Sequence, residues 1–152
     1  MDQSPSPSGK IVVGIDGSES SKGALRWALR QAELTGSYVE AVIAWQYPVM
    51  VGGFGFAPIS AMMVNFDEIA AKTLADSLAE VVDPASSVLV SSAVVEGQPA
   101  QVLLRACKDA SLLVVGSRGH GGFAEALLGS VSQHCVHHAR CPVVIVRAHG
   151  AA

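Results

Sequence analysis

Aromatic residues make up only 5% of this 152-residue chain and charged residues only 15%. Abundant Ala, Val and Leu with so few rings suits aliphatic strands covered by Ala-rich helices. No apolar run approaches the roughly 20 residues that a membrane span needs, so no membrane partner is expected. The opening stretch, MDQSPSPSG, holds an acid and two prolines and lacks the apolar segment of a secretion signal. It reads as a disordered tail over residues 1–9 of a cytoplasmic protein. There are three cysteines, Cys107, Cys135 and Cys141. An odd number excludes a closed disulfide framework, and in the cytosol these are free thiols. The net charge is −3, so the basic surface of a nucleic-acid binder is missing. The patterns G-x-x-x-x-G-K-[ST] and G-x-G-x-x-G do not occur. No serine sits in G-x-S-x-G, and no cysteine has a motif-placed histidine, so nothing supplies an activated nucleophile.

Half of the chain is hydrophobic, enough to bury the core of one domain. The charge is uneven. Residues 1–98 hold five Lys and Arg against eleven Asp and Glu; residues 99–152 hold five against two, together with all five histidines. The pattern along the chain alternates. KIVVGID (10–16) is a buried strand. The helix after it carries Ala24, Leu25, Ala28, Leu29 and Ala32 on one face, with Ser18 as N-cap and Gly36 as stop. YVEAVIAW (38–45) is the second strand, followed by an apolar loop over 46–62. A helix then runs from about Asn65 to Val82, with Phe66, Ile69, Ala70, Thr73, Leu74, Leu78 and Val81 inward. Residues 88–97 form a third strand and QPAQVLLRACKDA a short helix with Pro99 in its first turn. SLLVVGS (111–117) is a fourth strand and CPVVIVRA (141–148) a fifth. Strands alternating with helices imply a parallel sheet with right-handed crossovers. Ligands of such sheets bind beyond the strands' carboxyl ends, where strand order reverses. That rule points to the turns around Asp16 and Gly116.

From the end of the fourth strand to the start of the last helix stand five glycines, Gly116, Gly119, Gly121, Gly122 and Gly129. A mid-helix glycine costs about 1 kcal/mol against alanine, so the helix is expected to start near Ser130, capped by Gly129, with Val131, Cys135 and His138 inward. Residues 117–128 are then mostly loop. Bared backbone N–H groups at a helix N-terminus bind phosphate readily, and glycines allow close approach. The hydroxyls of Ser130 and Ser132 and the charges of Arg118 and His120 could add to this. On residue chemistry alone, a phosphate cradle and a plain flexible turn are both open.

Gly116, Gly119, Gly129 and Ser130 meet the spacing G-x-x-G-(nine residues)-G-[ST] after LLVVGS and before CPVVIV. With the opening IVVGIDGSESSKGALRWAL, the chain resembles the universal stress protein family, of its ATP-binding type, over residues 10–147. The resemblance implies a single-domain α/β fold over 10–148. It is Rossmann-like, of the adenine nucleotide alpha hydrolase-like kind: a three-layer α/β/α sandwich with a five-stranded parallel sheet. It implies ATP, with Mg2+ through Asp16, between the ends of strands 1 and 4. Carried over, Gly14 and Ile15 border the base, Asp16 lies near ribose and phosphates, and Ala44 meets adenine through its backbone. Val115, Gly116, Arg118 and Gly119 line ribose and phosphates, and Gly129, Ser130, Val131 and Ser132 hold the phosphates. Family members often have proline at the position of Gly14 and histidine at that of Arg118. The resemblance also implies a homodimer through the terminal strand, 141–148, followed by a short tail over 149–152.

Plainer roles stand beside these. Asp16 could cap the turn into helix 1, and Ser130 could be only an N-cap. The loop 46–62 could pack on its own domain, cover adenine or meet a second copy. QHCVHHARC (133–141) carries histidines four apart, but a helix packed by Cys135 and His138 is favoured over a metal site. The expected function is a nucleotide-dependent stress-response binding protein, not a dedicated enzyme. The alternatives are a cyclic AMP or AMP module, a slow ATPase or nucleotidyl-transferring relative, and a dimeric scaffold without nucleotide.

Overall fold

The computed structural model of the chain describes residues 8–48, 64–118 and 128–147. Most of the expected N-terminal tail, most of the 46–62 loop, residues 119–127 of the expected loop over 117–128, and the C-terminal tail lie outside the described residues. The strands are β1 (Lys10–Gly14), β2 (Tyr38–Trp45), β3 (Val90–Glu96), β4 (Leu112–Gly116) and β5 (Val143–Val146). Helices α1 (Glu19–Thr35), α2 (Phe66–Val81), α3 (Pro99–Ala106) and α4 (Ser130–His138) alternate with them. All pairings are parallel, in the order β3-β2-β1-β4-β5. This is the expected α/β fold with a five-stranded parallel sheet, and order reverses between β1 and β4.

Each sheet face builds its own core, because side chains alternate along a strand. Ile11, Val13, Val39, Ala41, Ile43 and Val114 pack under α1 and α2 with Ala24, Leu25, Ala28 and Leu74. Val12, Val42, Leu113 and Val115 pack on the opposite face with Val102, Leu103, Cys107 and Cys135 of the α3–α4 layer. Fully burying a Val or Leu side chain contributes about 1.5–3 kcal/mol, so these central strands anchor the domain. The outer β3 is largely exposed, Val94 and Val95 included.

The ends of α1 form as their chemistry requires. Ser18 accepts a bond from the Ser21 N–H, and Gly36 closes the helix in the left-handed region with φ 71°. Lys22 then ties α1 to α2 through Glu80 at 2.7 Å and to its own turn through Glu19 at 3.2 Å. Two expected inner faces need correction. Ile69 is exposed, and Ser77 is buried beside Ala70 and Leu74, its hydroxyl donating to the Thr73 carbonyl at 2.9 Å. On α4, Ser132 and Cys135 face inward and His138 is exposed. The inner stripe runs one turn through 132 and 135, which carries position 138 round toward solvent.

Candidate functional site

The reversal of strand order leaves a crevice at the carboxyl ends of β1 and β4, and three segments meet around it. The first is the turn after β1. Ile15 is buried and donates its N–H to the Val42 carbonyl at 2.8 Å, extending the β1–β2 ladder past Gly14. Asp16 Oδ1 accepts from the Ser18 N–H at 2.9 Å and from the Ser18 hydroxyl at 2.5 Å. Ser21 accepts the Asp16 N–H at 3.3 Å and donates its hydroxyl to the Ser18 carbonyl at 3.0 Å. The role of Asp16 as organiser of the turn into α1 is therefore filled. Its carboxylate is held at the N-terminus of α1, where the helix dipole favours negative charge.

The second segment is Gly116–Arg118. Val115 is buried in the α3–α4 core, so only its backbone faces the crevice. The Ser117 N–H donates to the Val146 carbonyl at 2.9 Å, and the Arg118 N–H donates to Ser20 Oγ at 3.3 Å. Ser20 and Ser21 are buried in the first turn of α1. A Cβ placed on Gly116 would lie 2.3 Å from Ser20 Oγ and 2.7 Å from the Ser20 carbonyl carbon. Gly116 is thus needed for the close approach of α1 to the end of β4.

The third segment is the start of α4. Gly129 is its N-cap and Ser130 its first residue, as the sequence suggests. The Gly129 N–H reaches back to the Ser117 carbonyl at 2.7 Å, and the Ser132 hydroxyl donates to the Gly116 carbonyl at 2.6 Å. These bonds dock the helix start on the β4 end. The first intrahelical bond is from the Gln133 N–H to the Gly129 carbonyl, at 3.0 Å. Helix geometry leaves the N–H groups of Ser130, Val131 and Ser132 without an acceptor inside the helix. Three aligned amides and the positive end of the dipole make an anion-binding arrangement.

The remaining positions fall as follows. Ala44, half-buried near the end of β2, pairs with Val95 at the same end of the sheet. Gly14 pairs with Val42 and is overlain by Leu103. Val131 packs partly against the α3–α4 core. The structure thus brings Gly14, Ile15, Asp16, Ala44, Val115, Gly116, Arg118, Gly129, Ser130, Val131 and Ser132 to one end of the sheet. Gly119 lies outside the described residues. Ser132 is buried, its hydroxyl donated to Gly116, so it acts in the frame of the loop. Ser20 and Ser21 escaped sequence reasoning. The available signal was register: they stand four residues before Ala24 and Leu25, at the head of the same inner stripe.

A doubly wound α/β domain with an amide-lined crevice at its switch point belongs to the class of open parallel sheets that take ligands beyond the carboxyl ends of their strands. Within that class the comparisons are specific. Residues 7–147 match the universal stress protein family model, and the chain belongs to the universal stress protein family. A universal stress protein of Mycobacterium tuberculosis is 37% identical over 143 residues, covering 93% of this chain and 44% of the relative. The chain therefore spans less than half the length of such curated relatives. The solved UspA from Lactobacillus plantarum matches with a TM-score of 0.77 at 18% identity, over 94% of this chain and 100% of that one. A universal stress protein solved in complex with cAMP is 27% identical with a TM-score of 0.59, over 94% of this chain and 99% of that one.

Proposed function

We propose that this chain binds an adenine nucleotide, ATP with Mg2+ in the first instance, and acts as a nucleotide-dependent regulatory protein of the stress response. The observation that carries the reading is the convergence of the Ser130–Ser132 amides, the Gly116–Arg118 backbone and Asp16 at the switch point. The amides and Arg118 suit the phosphates. Asp16 suits the ribose or a metal ion on the phosphates, and the backbone near Ile15 and Ala44 suits the base. Binding of this kind needs no catalytic set; phosphoryl transfer also needs a positioned water and charge stabilisation.

A second reading, cyclic AMP or AMP as the native ligand, draws support from the relative solved with cAMP. Calorimetry with ATP, AMP and cAMP separates the two, since a triphosphate site loses affinity as phosphates are removed. Gly129 has φ −67° and ψ 163°, an extended conformation that valine adopts without strain. Gly129→Val therefore sets a branched side chain before the amides with the backbone intact, and it is expected to abolish measurable ATP binding. Asp16→Ala is expected to weaken it. Unchanged affinity in both variants would refute the pocket. The same reading includes a cytoplasmic homodimer through residues 141–148. The outer edge of β5 suits this, because among the described residues it pairs only with β4, and a second copy would cover that edge. Light scattering that found only monomer would remove the dimer.

A further inference from the structure

The exposure of His138 reopens the histidines of α4. His134 and His138 stand four residues apart on α4, both exposed, with ring centroids 4.5 Å apart and ring planes at 40°. Residues four apart share a helix face. Cys135 points the other way, into the core. His137 lies farther round, its ring 6.5 Å from that of His138.

We propose that His134 and His138 form a surface chelate for a borderline divalent transition metal of the Zn2+, Ni2+ and Cu2+ class. Imidazole nitrogen binds such ions at about 2.0–2.1 Å, which puts each ring centroid about 3.2 Å from the metal. Two rings bound at 90–109° then have centroids about 4.5–5.2 Å apart, and the observed pair stands at the near end of that range. Both side chains are exposed, so each ring can turn a nitrogen to the ion without disturbing the core. Among the described residues no group of three His, Cys, Asp or Glu side chains can hold a metal. Two imidazoles leave the other coordination positions of such an ion open to water, as in an exchangeable site. A bound ion would cross-link successive turns of α4, the helix whose first amides face the crevice. The inference is independent of nucleotide binding.

Calorimetric titration of the untagged chain with zinc chloride in a non-chelating buffer tests it. One ion per chain is expected. His134→Ala and His138→Ala should each weaken binding by about tenfold or more, since even outer-shell changes cost that much. His137→Ala and Cys141→Ser should leave it unchanged, and Cu2+ should bind more tightly than Ni2+, and Ni2+ than Mn2+. The exposed positions let the variants keep their fold, checked by far-ultraviolet dichroism. Absence of zinc binding by the native chain would overturn the proposal, as would affinity retained in either His134→Ala or His138→Ala. So would a loss carried by His137→Ala or Cys141→Ser.

Discussion

Replacing Gly116 by alanine is the sharpest test of how the crevice is built. The new Cβ would stand 2.3 Å from Ser20 Oγ, 2.7 Å from the Ser20 carbonyl carbon and 2.8 Å from its oxygen. Two of those atoms are backbone, so no side-chain rotation relieves the contact and the first turn of α1 must move. Overpacking of this kind costs about 1–3 kcal/mol. Loss of the bond from the Arg118 N–H to Ser20 adds about 0.5–1.5 kcal/mol. The sum, about 1.5–4.5 kcal/mol, lowers the melting temperature of a domain this size by about 3–18 °C. Calorimetric melting reads it. Adding Ser20→Ala removes only the nearest of the three atoms and should restore part of the loss. Gly14→Ala is the comparison: its Cβ meets Leu103 Cδ1 at 2.8 Å, the end of a side chain that can rotate, and should cost less. A Gly116→Ala protein melting within about 2 °C of the native chain would refute the close approach.

Ser132→Ala leaves the Gly116 carbonyl without its hydroxyl donor and should cost about 1–3 kcal/mol in chemical denaturation; an unchanged midpoint would show that the bond holds nothing in place. Burial, reinforced by neighbouring thiols, raises Cys135 and Cys141 to about 11 from the ordinary 9.0. The fold thus favours the neutral thiols, a contribution complete below pH 9 and lost as pH rises toward 11. Melting temperature should fall across that window, and fall less steeply in Cys135→Ala; parallel slopes would count against the burial effect.

Sequence pattern carried the fold far because the central elements are governed by local rules. β2 spans Tyr38–Trp45 and α4 starts at Ser130 behind Gly129, the first because apolar residues fill it apart from Glu40, the second because glycine resists mid-helix placement. Periodicity failed where burial depends on a distant neighbour. Ile69 lies beside the α2 stripe, yet α2 rests on the outer part of the sheet and leaves it in solvent. Of the site, the strand ends and the helix cap were legible. The serine framework was not, because Ser20 meets Arg118 across 98 residues and Ser132 meets Gly116 across 16. Gly116 shows the hazard of motifs: its place suits a phosphate cradle, and helix packing alone already requires it.

The segment from Gly116 to Arg118 is held by α1 on one side of the sheet through Ser20 and by α4 on the other through Gly129 and Ser132. It works as a shared fulcrum. Any displacement of those three residues would strain hydrogen bonds to both outer layers at once.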